Sequence, residues 1–188
     1  MKIVLGTGNP SKVFEINKIA DCEDIEFIMP PKDFNPEESG KTFEENSYIK
    51  AKTAYELSHS MSLADDSGLC IEALNGAPGL YSARYAENQE LKIKRVLSEL
   101  EGVENRKAKF VCCMTLIDEN GEILHVSKGE CHGTIITEAK GSNGFGYDPI
   151  FQPNGFDKTI AQMSEDEKNA ISHRGNALRD MIKFIKTL

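Results

Sequence analysis

The sequence predicts an α/β protein with a mixed sheet, and three observations predict it. Short apolar runs of strand length alternate with segments whose apolar residues recur at helical spacing, two long β-rich runs flank an Asn-Gly turn, and capping signals mark helix starts. Strands joined partly by helices and partly by a hairpin require both parallel and antiparallel neighbours in one sheet.

In order, Lys2-Ile3-Val4-Leu5-Gly6-Thr7 reads as a buried strand, and Gly8-Asn9-Pro10 breaks it before an amphipathic helix over 11–20, with Ser11 as the candidate cap. Residues 25–29 read as a second strand, followed by a polar, proline-rich loop over 30–40. Thr42-Phe43-Glu44-Glu45 is a capping box and starts a helix running to about residue 60. On that helix Lys50 shares a face with Phe43, Asn46 and Ala54, away from the face of Glu45, Lys52 and Glu56 where a lysine is better solvated.

Residues 61–65 read as a strand ending at Asp65-Asp66, residues 76–79 as a loop, and residues 89–100 as another amphipathic helix. The runs 109–117 and 123–127 flank Asn120-Gly121, a pair favoured in two-residue type I′ turns, and the second run can continue to Ile136. A glycine-rich loop over 141–149 precedes a helical C-terminal region, with a second capping box at Ser164-Glu165-Asp166-Glu167 and a last helix over 172–188.

The chain has 188 residues and fits a single domain, 1–188. Its net charge of −8 disfavours a nucleic-acid polymer as partner, though local donor clusters still admit a small anion. No apolar run is long enough to span a membrane, and Met1 to Gly6 is too short and too weakly basic for a secretory signal. Cys22, Cys70, Cys112, Cys113 and Cys131 have no Cys-x-x-Cys spacing and read as reduced thiols of a cytoplasmic protein.

Four stretches carry candidate chemistry. Thr7, Gly8, Asn9, Pro10, Ser11 and Lys12 sit where a strand hands over to a helix, so N–H groups, hydroxyls and an ammonium converge as they would on phosphate, although no P-loop spacing is present. Asp65-Asp66, with Glu37 and Glu38 upstream, supplies hard oxygens suited to Mg²⁺, the alternative being a turn with one capping and one solvated aspartate. Phe145-Gly146-Tyr147-Asp148 offers an aromatic face and a carboxylate, or else a loop pinned by its aromatics. Lys168, His173 and Arg174 lie near a helix start, where basic side chains oppose the dipole and so need an anion or open solvent.

Together, "TGNPSK", "ADDSGL", "GAPGLYSARY", "GFGYDP" and "EKNAISHR" resemble, in this order, the inosine triphosphate pyrophosphatases. The resemblance implies an elongated two-lobed α/β fold around a long mixed sheet with flanking helices, the active site in the cleft, usually as a homodimer. It implies Mg²⁺-dependent attack of water on the α-phosphorus of ITP, dITP or XTP, releasing a monophosphate and pyrophosphate. Residue by residue, it puts the catalytic, metal-holding carboxylate on Asp66, with Asp65 behind it or sharing the metal. The loop metal ligand falls on Glu38, with Glu37 one register away. Triphosphate binding falls on Thr7 to Lys12 and Lys50, and a substrate contact on Ser67. The nucleoside falls on Phe145, Gly146, Tyr147, Asp148, Lys168, His173 and Arg174, with donors of the last two reading the 6-carbonyl of the purine. Between Arg84 and Gln89 this chain has only Tyr85-Ala86-Glu87-Asn88, shorter than in many relatives.

A regulatory nucleotide-binding module would need no aspartate at the metal. A small-molecule kinase would be expected to show a P-loop or kinase glycine loop, and neither is present.

Overall fold

The computed structural model describes residues 1–188. Its strands are β1 (Lys2–Leu5), β2 (Glu26–Ile28), β3 (Ser62–Ile71), β4 (Lys107–Ile117), β5 (Ile123–Ile135) and β6 (Phe151–Pro153), in the sheet order β2-β1-β3-β4-β5-β6. Pairing is parallel for β1 with β2 and β3, and antiparallel for β5 with β6, so the sheet is mixed. The helices are α1 (Pro10–Ala20), α2 (Phe43–Ser58), α3 (Gln89–Glu99), α4 (Glu165–Ile171) and α5 (His173–Ile185). None is long and apolar enough to cross a membrane.

The chain forms two compact units, the first from Met1–Asp66, Cys112–Gly129 and Arg174–Leu188, the second from Ser67–Val111 and Glu130–His173. In the first, Ile3, Leu5 and Leu63 pack with Ile16 of α1 and with Ala177, Leu178, Met181 and Ile185 of α5. Ala64 packs instead with Ala51 of α2 and with Ile117. Because side chains alternate along a strand, β3 therefore points Leu63 at α1 and α5 and Ala64 at α2. The buried Ser47 and Thr115 hydroxyls, 2.7 Å apart, fasten α2 to β4. The second unit has its own core, in which Leu69 and Ile71 meet Val96 of α3, Leu100 just beyond its end, Phe110, Ile135 and Phe151.

Several local expectations need correction. The cap of α1 is Asn9, whose Oδ1 accepts from Ser11 N, so Pro10 takes the first helical turn where its missing N–H costs nothing. The β4–β5 connection is longer than a two-residue type I′ turn. Only Gly121 takes a positive φ, +84°, where type I′ needs two such residues, and the Asp118 carboxylate organises the loop by accepting from the N–H groups of Asn120 and Glu122. The strand carrying the aspartates does not end there: β3 continues through Asp65-Asp66 to Ile71. Lys168 lies on the separate helix α4, which ends at Ser172 in extended backbone before α5 begins.

Candidate active site

The continuation of β3 decides the fate of its two aspartates. Asp65, two residues beyond Leu63, faces the α1 and α5 side, while Asp66 follows Ala64 toward α2. Asp65 is 4% exposed, and its Oδ1 accepts from Lys12 Nζ at 2.7 Å, with Arg174 Nε 3.5 Å from Oδ2. Burial opposes its ionisation, but Lys12, Arg174 and Lys50 outweigh burial and hold its carboxyl far below the usual carboxylate range. Arg174 also reaches Glu15 of α1, with Nη1 3.3 Å from Oε1. Two carboxylates thus meet the cation that the start of α5 would otherwise find unfavourable.

Asp66 has a different environment. Burial lifts its carboxyl to about 6, opposed by the Lys50 charge and by a side-chain hydrogen bond from Asn46, while Glu38 and Asp65 raise it further. Lys50 Nζ donates to the Asp65 carbonyl at 2.9 Å and lies 3.2 Å from Glu38 Oε1. The α2 face noted in the sequence therefore brings Lys50 to the acidic pair. Burial disfavours the Lys50 charge, yet Asp65, Glu38 and Asp66 raise its pKa overall. Lys52, assigned to the solvated face, is half-buried, its ammonium 5.1 Å from the Tyr55 ring centroid.

At the β1–α1 junction Thr7 is buried, and its Oγ1 accepts from Asn9 N at 3.2 Å, while Gly8, Asn9, Pro10 and Ser11 are exposed. The first turn of α1 has no acidic residue and carries Lys12, an arrangement that favours an anion. Burial lowers the Lys12 pKa, with Asp65 opposing.

Glu38 and Asp66 are the residues suited to a metal. No cluster of three or more His, Cys, Asp or Glu side chains forms a ready-made cage. Mg²⁺ needs no such cage, since it takes one or two carboxylates and completes its shell with water and phosphate oxygens. The two carboxylates fit that requirement.

The second unit gathers the remaining candidates. Asp148 is 4% exposed, and its Oδ2 accepts from Lys168 Nζ at 2.7 Å and from Phe145 N at 3.0 Å. The Lys168 ammonium also lies 4.4 Å from the centroid of the Phe145 ring, which is 54% exposed. Tyr147 is buried and donates to the Ser82 carbonyl at 2.7 Å, and Gly146 N donates to Gln89 Oε1 at 3.1 Å. His173 stacks on Phe110 with ring centroids 4.9 Å apart and planes 14° apart. Ser67 follows Asp66 and is half-buried.

The sequence-derived residues thus form two groups. Thr7 to Lys12, Glu38, Lys50, Asp65, Asp66 and Arg174 belong to the first unit, and Ser67, Phe145 to Asp148, Lys168 and His173 to the second. Arg174, expected at the purine, lies within ion-pair distance of Asp65 and Glu15. Sequence reasoning gave no role to Glu15 or Asn46. Asn46 had a signal, a polar residue one turn before Lys50 on the same helix face, whereas Glu15 had none.

Residues 3–184 match the Ham1 family. The chain belongs to the Ham1 family. A relative in Treponema denticola, named dITP/XTP pyrophosphatase, is 47% identical over 99% of both chains. One in Aquifex aeolicus, with the same name, is 41% identical over 99% of this chain and 97% of its own. Among solved structures, the Ham1 protein of Staphylococcus aureus superposes with a TM-score of 0.91 at 39% identity, covering 100% of this chain and 99% of that one. A Ham1 protein from Coxiella burnetii gives 0.91 at 40% identity, covering 100% of both. The α/β fold with a mixed sheet and flanking helices is thus the Ham1 fold.

Proposed function

We propose that this Ham1-family chain hydrolyses non-standard purine nucleoside triphosphates of the ITP, dITP and XTP kind to the nucleoside monophosphate and pyrophosphate, with residues 1–188 acting as one catalytic domain. The names of its relatives support the substrate class. The observation that carries the chemistry is the division of labour on β3: Asp65 is neutralised by Lys12 and Arg174, while Asp66 keeps a carboxyl lifted to about 6 beside Glu38 and Lys50.

Asp66 is the base that accepts the proton of the attacking water, and its lifted carboxyl suits proton transfer near neutrality. Glu38 and Asp66 would hold Mg²⁺, which when bound would neutralise phosphate charge and polarise the phosphorus under attack. Lys50, with Lys12 and the Thr7 to Ser11 turn, binds the triphosphate and offsets its charge, which explains how an acidic protein accepts an acidic substrate. In the second unit, Ser67, Phe145, Gly146, Tyr147, Asp148, Lys168 and His173 recognise the nucleoside, Phe145 through its exposed ring. Arg174 steadies Asp65. The enzyme works in the cytoplasm as a homodimer, with no membrane or nucleic-acid polymer as partner.

The decisive experiment is a panel of nucleoside triphosphates with Mg²⁺, scoring pyrophosphate against orthophosphate. Pyrophosphate from ITP and XTP in preference to ATP and GTP is the expected result. Orthophosphate as the first product rejects cleavage at the α-phosphorus.

A further inference from the structure

Asn46, at the end of the first turn of α2, is 4% exposed although its side chain is polar. Its Oδ1 accepts from the backbone N–H of Gly40 at 2.8 Å. That bond settles which way the amide points, because the oxygen is the acceptor end and the NH₂ can only donate.

Gly40 closes the loop that carries Glu38. The next residue is fastened to the same helix turn, Lys41 N donating to the Glu45 carboxylate. A Cβ on Gly40 would stand 2.6 Å from Asn46 Oδ1 and 2.8 Å from Glu45 Cβ, closer than real contacts, so the loop approaches α2 as only glycine permits.

From this geometry we infer that Asn46 is a positioning residue that fastens the Glu38 loop to α2, holding the Glu38 carboxylate in one fixed relation to Lys50 and Asp66 for a divalent cation. The inference rests on the functional reading above. An acceptor toward Gly40 is required, which leucine lacks and the shorter serine hydroxyl does not supply at the same reach.

The test uses Asn46→Leu, close in volume but without polar atoms, and Gly40→Ala, which leaves Asn46 in place and displaces its oxygen. Mn²⁺ binding to the nucleotide-free protein is read by electron paramagnetic resonance, Gly40 amide exchange by NMR on the metal-free protein, and kcat and KM with ITP. Both variants are expected to bind Mn²⁺ roughly 10- to 100-fold more weakly, to exchange the Gly40 amide faster, and to lose kcat while KM changes little. Wild-type Mn²⁺ affinity in a variant that merely unfolds more easily overturns the inference and makes Asn46 structural. If neither variant folds, the wild-type protein still decides. Mn²⁺ should broaden the Asn46 side-chain NH₂ and the Gly40 amide signals, and sharp signals at saturation overturn the inference. A wild-type protein that releases no pyrophosphate from ITP rejects the functional reading alone, because the Mn²⁺ and exchange measurements judge Asn46 without substrate.

Discussion

Lys12 Nζ lies 2.7 Å from Asp65 Oδ1, joining the first turn of α1 to the middle of a strand 53 residues away. Removing one partner of such a buried pair leaves the other side's charge unmatched. Asp65→Asn, which strands both Lys12 and Arg174, is expected to destabilise the protein by about 3–5 kcal/mol at neutral pH in urea unfolding. The sign of its pH dependence follows. The folded carboxyl lies below its unfolded value, so its stabilisation is present above about pH 4 and is lost as pH falls further. The gap between wild type and Asp65→Asn should therefore close in acid. A gap that stays constant down to the acid transition would contradict the ion pair.

Asp66→Asn should fold with wild-type cooperativity yet lose about 10²-fold or more in kcat, since it removes a proton acceptor and a metal ligand at once. Near-wild-type turnover at saturating Mg²⁺ would move the role to another carboxylate.

Protons and Mg²⁺ compete for Asp66. Since its carboxyl titrates near 6 in the metal-free protein, the apparent Mg²⁺ affinity is expected to be flat at higher pH and to weaken as pH falls through about 6. Calorimetric titration on either side of that value measures it. An affinity that does not vary would show that Asp66 is no ligand.

Lys50→Ala is expected to raise KM for ITP and, where the ammonium favours the charge of the transition state, to lower kcat too. Lys52→Ala is the control. It loses a contact with the Tyr55 ring and the Gly121 carbonyl but no member of the acidic cluster. Steady-state kinetics of the pair decide the matter, equal losses sinking the assignment.

Arg174→Ala should lower stability and slow ITP and ATP hydrolysis together, leaving the ratio of their kcat/KM values unchanged, because the guanidinium is held by Asp65 and Glu15. Lys168→Ala should raise KM for ITP and also lower Tm, since it leaves the buried Asp148 carboxylate and the Phe145 ring without their cation. Collapse of the ratio in Arg174→Ala would return that residue to the purine.

Short-range chemistry was legible in the sequence because its causes lie within a few residues. Thr42 caps α2 by accepting from Glu45 N, although Glu45 itself turns to Lys41 N, Ser164 and Glu167 close their capping box reciprocally, and the β-rich runs about Asn120-Gly121 become long neighbouring strands. Helical periodicity was enough to single out Lys50 as a lysine on the wrong face. The motifs in register carried the family.

The tertiary structure decided what those residues face. A strand-end turn and a through-running strand both tolerate Asp65-Asp66, and only pairing of β3 with its neighbours turns the two carboxylates to opposite sides. Arg174 meets Asp65 across 109 residues and Glu15 across 159, separations at which no spacing rule operates. The pKa values follow from the same cause. Two identical side chains, adjacent in the chain, part because burial and neighbouring charge are properties of the folded environment, and no local sequence pattern encodes which buried carboxylate a distant cation will reach.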